Sequence, residues 1–465
     1  MTKYHMDPEE YRLRGHEIVD WVADYLANVT EYPVNSTVEP GAIRDALPAA
    51  APEQPEPFED VVDDLNRIIM PGITHWQSPN WFSYFPANSS GPALLGEMVA
   101  AGLGVQGMLW STSPAATELE MVVVDWMVEL LGLPPSWKTT GPGGGVIQMS
   151  ASDSAHVAMV TAREQAKQRG AVDKMVVYAS DQTHSSVEKG ARVAGFETVR
   201  IIPTDDTYAM DVAAFAAQVA ADQADGLVPL FVAASVGTTA TTAVDPVRTI
   251  AEVAKAADIW VHVDAAYAGT AMICPEFRHH QDGIDLVDSY TLNPHKWMFT
   301  NFDCNLYYVA DRQPLIDAMS ILPPYLRNEA TLSGKVIDYR DWHVPLGRRF
   351  RSLKLWFVLR HYGAEGIRHH IREHILLAQD LASRLEADER FELVAPHPFS
   401  LVVFRHVGGN EETTKLAADL NGSGKVSVSP TTLGDMAAIR ISIGQTNTDA
   451  EHIDGLWTLI DNLSR

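Results

Sequence analysis

The chain has 465 residues, 46% of them hydrophobic, with 60 acidic and 35 basic side chains and a formal charge of −25. That length exceeds one ordinary core, and so acidic a surface repels phosphate backbones and anionic lipid, which argues against nucleic acid and membranes as partners. Only Cys274 and Cys304 are present, residues 1–11 lack an apolar signal core, and no apolar run is long enough to span a bilayer, so a cytoplasmic protein without disulfides is expected.

The first predicted element is a helix capped by Asp7, with Pro8 at its first position and Tyr11, Ile18, Val22 and Leu26 recurring near helical spacing. Prolines 33, 40, 48, 52, 55 and 57 then impose an extended crossing with a short helix at 42–47, and a second helix is expected over 58–69. So little self-contained core implies an arm that lies on something else, such as another subunit. From about 90 to 310, short buried strands are predicted at 175–179, 198–202, 230–234, 260–263, 289–291 and 306–309. Helical patterns at 154–169, 185–193, 211–221 and 247–256 separate several of them. Strands alternating with helices define an α/β domain around a largely parallel sheet. After Arg349 the pattern is helical to about 385. Strands at 391–394, 400–404 and 438–442 and a helix from Asp449 follow, a smaller α+β unit. The expected division is an arm at 1–88, a large domain at 89–355 and a small domain at 356–465.

Five strand-end features carry chemistry. Lys296 follows Asn293-Pro294-His295 after a predicted strand, where ligands meet open α/β sheets. An amine desolvated there becomes a nucleophile for a Schiff base, although a lone strand-end lysine equally well keeps its ammonium in water. The run Trp260-Val261-His262-Val263-Asp264-Ala265-Ala266 ends a strand in a carboxylate able to pair with a protonated pyridine nitrogen, and Ala266 leaves room for a flat ring. Asp264 as a helix cap is the alternative. Gly141 to Ser152 opens a helix at about Asp153, and its backbone amides with Ser150 and Ser152 make a phosphate cradle, or else a flexible loop with a capping serine. His184, in Asp181-Gln182-Thr183-His184-Ser185-Ser186, is a candidate to stack on a planar cofactor and move protons. Gly237-Thr238-Thr239 offers hydroxyls to a ring. An imine lysine, a pyridinium partner, a stacking imidazole, hydroxyls and a phosphate site together match pyridoxal 5′-phosphate (PLP).

The same segments resemble the aromatic-L-amino-acid decarboxylase family of group II PLP decarboxylases. So do Met6-Asp7-Pro8-Glu9-Glu10-Tyr11, His75-Trp76-Gln77-Ser78-Pro79, Tyr84-Phe85-Pro86, Asp338-Tyr339-Arg340 and Pro345-Leu346-Gly347-Arg348-Arg349-Phe350. The resemblance covers nearly the whole chain, more loosely in the last hundred residues. It implies PLP fold type I, an aspartate aminotransferase-like architecture, and an obligate homodimer with its site at the interface. Lys296 would hold PLP, Asp264 would pair with the ring nitrogen and His184 would stack on the ring. Ala151, Ser152 and Asn293 would bind the phosphate, with His295 nearby and Thr239 near the ring. Tyr325, in Pro323-Pro324-Tyr325-Leu326, would return a proton to the substrate carbon after carbon dioxide leaves. Tyr84, Phe85, Pro86 and Ala87 fall in a substrate-contacting region. Val105, Gln106 and Met108 would line the side-chain pocket from the partner, with Leu346 and Gly347 near the cofactor.

The implied reaction is decarboxylation of an aromatic L-amino acid (tryptophan, 5-hydroxytryptophan, dopa, tyrosine or phenylalanine). Related aldehyde synthases typically replace the loop tyrosine with phenylalanine or the histidine with asparagine, so Tyr325 and His184 favour simple decarboxylation. Gly347 permits a large ring. Ala87 stands where animal members have threonine, and Gln106 and Met108 replace bulkier or more apolar residues. An aldehyde synthase, a non-catalytic PLP-fold binding protein and a glutamate decarboxylase are the rivals. His369, His370 and His374 share one helix without a completing carboxylate or cysteine and are expected on a solvated or interface face, not around a metal. Arg348, Arg349, Arg351 and Lys354 are expected to hold carboxylates at an interface.

Overall fold

The structure, a computed structural model, describes residues 4–170, 173–321 and 328–465. Helix α1 (Pro8–Ala27) begins as predicted: the Asp7 carboxylate accepts the N–H groups of Glu9 and Glu10. Helices α2 (Ala42–Ala46) and α3 (Phe58–Asp64) follow, the latter continuing as a π-turn over Leu65–Ile69. Two further helices, α4 (Gly91–Leu103) and α5 (Pro114–Leu131), precede the sheet. Neither was expected from the sequence: α4 is apolar on most sides, and α5 buries a helical stripe that includes Val123, Val124, Met127, Val128 and Leu131.

The main sheet has seven strands: β1 (Gly144–Gln148), β2 (Met175–Ser180), β3 (Thr198–Ile202), β4 (Val228–Ser235), β5 (Trp260–Asp264), β6 (Ser289–Leu292) and β7 (Asn305–Val309). Their order is β1-β7-β6-β5-β4-β2-β3. Only β7 opposes the rest, pairing antiparallel with both β1 and β6. The connecting helices are α6 (Ala151–Gln168), α7 (Ser186–Val193), α8 (Val212–Ala224) and α9 (Val247–Ala256). The turn α10 (Pro294–Trp297) links β6 to β7, and α11 (Gln313–Met319) and α12 (Glu329–Leu332) follow.

Alternation along the strands builds two cores. Val176, Tyr178, Val261 and Val263 face one layer with Val123, Met127 and Ile250. Val177, Ala179, Phe231 and Trp260 face the other with Val157, Met159 and Val187. Period-two side chains buried on both faces require cover on both sides, which α5 and α9 give one face and α6 and α7 the other.

The long helix α13 (Arg351–Glu386) breaks at Gly363, whose φ is +62°, and leads into a four-stranded antiparallel sheet ordered β10-β11-β9-β8. Its strands are β8 (Phe391–Leu393), β9 (Leu401–His406), β10 (Ser429–Leu433) and β11 (Met436–Ser442). Helices α14 (Asn410–Gly422) and α15 (Ala450–Leu463) cover it around Leu416, Leu420, Leu456 and Ile460.

Three expectations need correction. Gly144 and Gly145 are not loop residues: they open edge strand β1, where a Cβ on Gly145 would lie 2.4 Å from the Tyr308 ring. His374 is 1% exposed, not on a solvated face, and its Nδ1 accepts the Trp297 indole N–H at 2.9 Å. The arginine cluster does hold carboxylates, but they belong to this same chain: Arg348 pairs with Glu120, Arg351 with Asp303 and Lys354 with Glu97.

Candidate active site

The parallel strands send their carboxyl ends to one edge of the sheet, where crevices form. Five of those ends meet around a cavity of about 220 Å³. From β6 and α10 come Asn293, His295 and Lys296; from β5, Asp264 and Ala266; from β4, Thr238 and Thr239. The segment after β2 supplies His184, and the start of α6 supplies Ser150, Ala151 and Ser152. Phe85 closes the cavity from the segment before α4.

Each position has a local cause. Ser150 caps α6, its hydroxyl accepting the Asp153 N–H at 3.2 Å. The first amides of the helix, at Ala151 and Ser152, therefore have no intrahelical acceptor and suit an anion. Asn305 on β7 fixes Asn293: its amide donates to Asn293 Oδ1 at 2.7 Å, so the amide N–H groups of Asn293 are left for a ligand. Asp264, 8% exposed, accepts the Ala266 N–H at 3.0 Å, which holds the carboxylate at the strand end. Gly237 turns the chain after β4 with φ +87°, and a Cβ there would lie 2.5 Å from that of Ala268.

His184 Nδ1 accepts the Ser186 N–H at 3.2 Å and lies 2.8 Å from Ser186 Oγ. The neutral ring therefore carries its proton on Nε2. Surrounding protein holds the imidazole below its ordinary value, with Asp264 opposing and Lys296 reinforcing. Burial likewise holds the Lys296 amine below its ordinary value; Asp264 opposes this and Arg440 adds to it. A lysine so placed reaches the free amine more readily than one in water. His295 is pushed down to about 3 by burial, and its Nδ1 accepts the Cys304 N–H at 2.9 Å.

Behind the cavity stands a column of rings. Phe85 stacks on Tyr267 at 3.9 Å and 15°, and Tyr267 stacks on Trp297 at 4.7 Å and 12°. The Lys296 Nζ lies 5.2 Å from the Phe85 ring centre. Tyr267 reaches β9's end through Ser400 Oγ at 2.6 Å, tying the two sheets together at the site.

Not every predicted residue meets here. Tyr84 borders a larger adjoining cavity of about 1170 Å³, shared with His184 and Thr239. Pro86 packs near Gly444, and the Ala87 carbonyl accepts from Gln77 at 2.8 Å; neither borders the 220 Å³ cavity. Val105, Gln106, Met108, Leu346 and Gly347 also lie off it. Gln106 Oε1 accepts the Arg348 N–H at 2.6 Å, Gly347 sits against Gln106, and the Met108 carbonyl accepts from Arg340. Tyr325 lies outside the described residues. Sequence reasoning missed Ser186, Tyr267 and Arg440. Ser186 was legible as a hydroxyl two residues after a loop histidine, and Arg440 as the one charge in an apolar strand.

The donor set fits PLP: helix-start amides with Ser152 and Asn293 for a phosphate, a carboxylate for a ring nitrogen, an imidazole for the ring face and an amine for the carbonyl. Sheet order and site together define the class, a fold-type-I PLP enzyme. Comparison narrows it. The family model described as "Pyridoxal-dependent decarboxylase conserved domain" matches residues 40–407, and the chain belongs to this family. It is 45% identical over 469 residues to tryptophan decarboxylase 2 of Oryza sativa subsp. japonica, covering 98% of this chain and 94% of that one. Tyrosine decarboxylase 2 of Narcissus pseudonarcissus is 45% identical with the same coverages, and phenylacetaldehyde synthase of Arabidopsis thaliana is 46% identical, covering 98% and 96%. The crystal structure of Oryza sativa TDC with PLP and tryptamine superposes with a TM-score of 0.98 at 40% identity, covering 100% of this chain and 99% of that chain.

Proposed function

We propose that this chain decarboxylates aromatic L-amino acids with PLP, releasing the aryl-ethylamine and carbon dioxide. The carrying observation is the convergence of Lys296, Asp264, His184, Asn293 and the α6 start on one cavity. Curated relatives named for tryptophan and tyrosine decarboxylation support the aromatic class. When bound, PLP supplies a carbonyl for amine attachment and a ring that takes up the electron pair left by departing carbon dioxide. Lys296 offers the amine that holds it. Asp264 would keep a proton on the ring nitrogen, and Ser150, Ala151, Ser152 and Asn293 would hold the phosphate. His184, fixed with its proton on Nε2, is placed to stack on the ring and donate a hydrogen bond or a proton. Thr239 and Ala266, which border the same cavity as His295, would lie beside the ring. For Tyr325 the support is the family resemblance alone: it returns the proton at the α-carbon.

The functional unit in this reading is a homodimer in the cytoplasm. Support comes from exposed apolar side chains on α4, where Leu95, Met98, Val99 and Leu103 are 44–58% exposed. The placement of Val105, Gln106, Met108, Leu346 and Gly347 away from this chain's own cavity also fits a pocket completed across an interface. The division into 1–88, 89–355 and 356–465 belongs to the same proposal, with α13 crossing the last boundary.

One second reading has a specific observation behind it. The 46% identity to a phenylacetaldehyde synthase points to oxygen-dependent decarboxylation with deamination. The test is a panel of amino acids with PLP-loaded protein, measuring carbon dioxide, amine, aldehyde and peroxide. Amine with equimolar carbon dioxide is expected. Aldehyde with peroxide and ammonia supports the second reading, and turnover of glutamate alone refutes both.

A further inference from the structure

His184 stands between the end of β2 and the start of α7, and the chain folds its ring back onto that helix start. Thr183 Oγ1 accepts the Ser180 N–H at 2.9 Å, which closes the strand end on itself. The His184 carbonyl then accepts the Val187 N–H at 3.0 Å, and its ring Nδ1 accepts the Ser186 N–H at 3.2 Å. These are the first amides of α7, which have no acceptor inside the helix, and Ser185 before them makes no side-chain cap. The imidazole is therefore the cap of α7. Val187 and Ala191 are fully buried in the same core as Met159, so the helix start that grips the ring is itself fixed.

The Ser186 hydroxyl adds to this grip, 2.8 Å from Nδ1 on a buried residue that also borders the cavity of Lys296. An amide N–H can only donate, so Nδ1 carries no proton in the neutral ring, and the hydroxyl donates to it as well. Among the described residues no carboxylate bonds to either ring nitrogen and no group accepts from Nε2, although the ring borders both cavities. The partner on one nitrogen decides the use of the other. A carboxylate accepting from Nδ1–H leaves Nε2 a base, the arrangement of imidazoles that take a proton from a substrate. Two donors on Nδ1 do the opposite and leave Nε2–H a donor.

We propose that Ser186 is a positioning residue that selects which bond of the substrate α-carbon is lost, by holding His184 as an Nε2–H donor with no lone pair turned to the amino acid. The assignment rests on the decarboxylase reading above. Loss of carbon dioxide needs no base: the carbon–carboxylate bond breaks, its electron pair stays behind, and the α-hydrogen remains on carbon. Loss of the α-hydrogen does need a base, and on the same cofactor it leads to racemisation and transamination. An imidazole free to turn or to change tautomer beside the α-carbon would supply that base. Ser186 denies it, with an amide that cannot accept and a hydroxyl that donates to the same nitrogen. His184 then orients the substrate through a hydrogen bond without competing for its α-hydrogen.

The test follows the α-hydrogen on PLP-loaded protein in heavy water. With the unaltered enzyme, amino acid recovered at partial conversion keeps its α-hydrogen. Ser186→Asp sets a carboxylate against Nδ1, draws the ring proton there and bares Nε2; recovered amino acid should exchange its α-hydrogen at least about ten-fold faster. Ser186→Ala keeps the amide donor, so it should show no exchange, a KM within about two-fold and a kcat per loaded site lowered about five-fold, the size of one neutral hydrogen bond. Ser186→Thr keeps a hydroxyl and recovers most of the kcat. In the unaltered protein, nitrogen-15 spectra of labelled histidine, with His184 assigned by its loss in His184→Gln, should show Nε2 protonated and Nδ1 bare. A proton on Nδ1, an unchanged kcat per loaded site in Ser186→Ala, or a loaded Ser186→Asp without exchange overturns the assignment. If Ser186→Asp does not load cofactor, the nitrogen spectra and Ser186→Ala decide. A protein that turns over no aromatic amino acid refutes the decarboxylase reading, while the nitrogen spectra still report separately on the grip of Ser186.

Discussion

Removing the Tyr267 ring should loosen the site more than removing its hydroxyl alone. Tyr267 is 1% exposed and lies between Phe85 and Trp297 in near-parallel stacks. Tyr267→Phe keeps both stacks and loses the bond to Ser400, whose side chain is fully buried. An orphaned buried hydroxyl costs about 1–3 kcal/mol. Tyr267→Ala removes a large buried ring and leaves a cavity, at about 3–5 kcal/mol, and Phe85 loses the surface that holds it beside Lys296. The assay is thermal unfolding of cofactor-free protein followed by tryptophan fluorescence, with PLP titration of each variant. Tyr267→Phe should bind PLP nearly as the unaltered protein does, unfolding slightly earlier. Tyr267→Ala should unfold much earlier and bind PLP more weakly. If the two variants unfold together, the stack is not the support; if Tyr267→Ala keeps full PLP affinity, Phe85 does not depend on it.

Glu120→Gln leaves Arg348 buried without a counter-charge, since the two side chains are 3% and 1% exposed and meet at 2.6 Å. Breaking such a pair costs about 3–5 kcal/mol, so the unfolding midpoint should fall sharply, while a paired apolar replacement should recover stability. Gly237→Ala should cost about 1–3 kcal/mol and weaken PLP binding, because the left-handed turn and the Ala268 methyl both resist a side chain; normal affinity would contradict that placement. Acid should destabilise the fold. His262, His295 and His374 are pushed down by burial to about 4, 3 and 3 from an ordinary value of 6.5. The unfolded chain then binds protons that the folded chain does not, so stability is full above pH 6.5 and falls as pH drops toward 4. His374→Gln, which keeps an acceptor for Trp297, should flatten that fall in a series of melting curves; an unchanged slope would argue against a neutral His374.

Much of this architecture was legible because buried parallel strands write themselves plainly. The run at 198–202 and the helix at 247–256 coincide with β3 and α9, where apolar runs end at polar residues. Strand β1 was not legible, since glycines give no alternation to read; only the close approach of Tyr308 and Trp342 demands them. Burial of His374 was equally hidden, because it follows from Trp297, 77 positions away. Lys296, Asp264, His184, Thr239 and the Ser150–Ser152 turn could be found because each follows a strand end, and that edge of a parallel sheet collects them, whereas Phe85 comes from the segment before α4. Arg440 comes from the second sheet, so no local pattern connects it to Lys296.

Lys296 is the residue expected to hold the cofactor. Protein loaded with PLP and reduced with borohydride should carry the label on the peptide containing Lys296, found by mass spectrometry, and Lys296→Ala should lose both the label and the visible absorbance. A label on any other lysine, or absorbance that persists unchanged in Lys296→Ala, would show that Lys296 does not hold it.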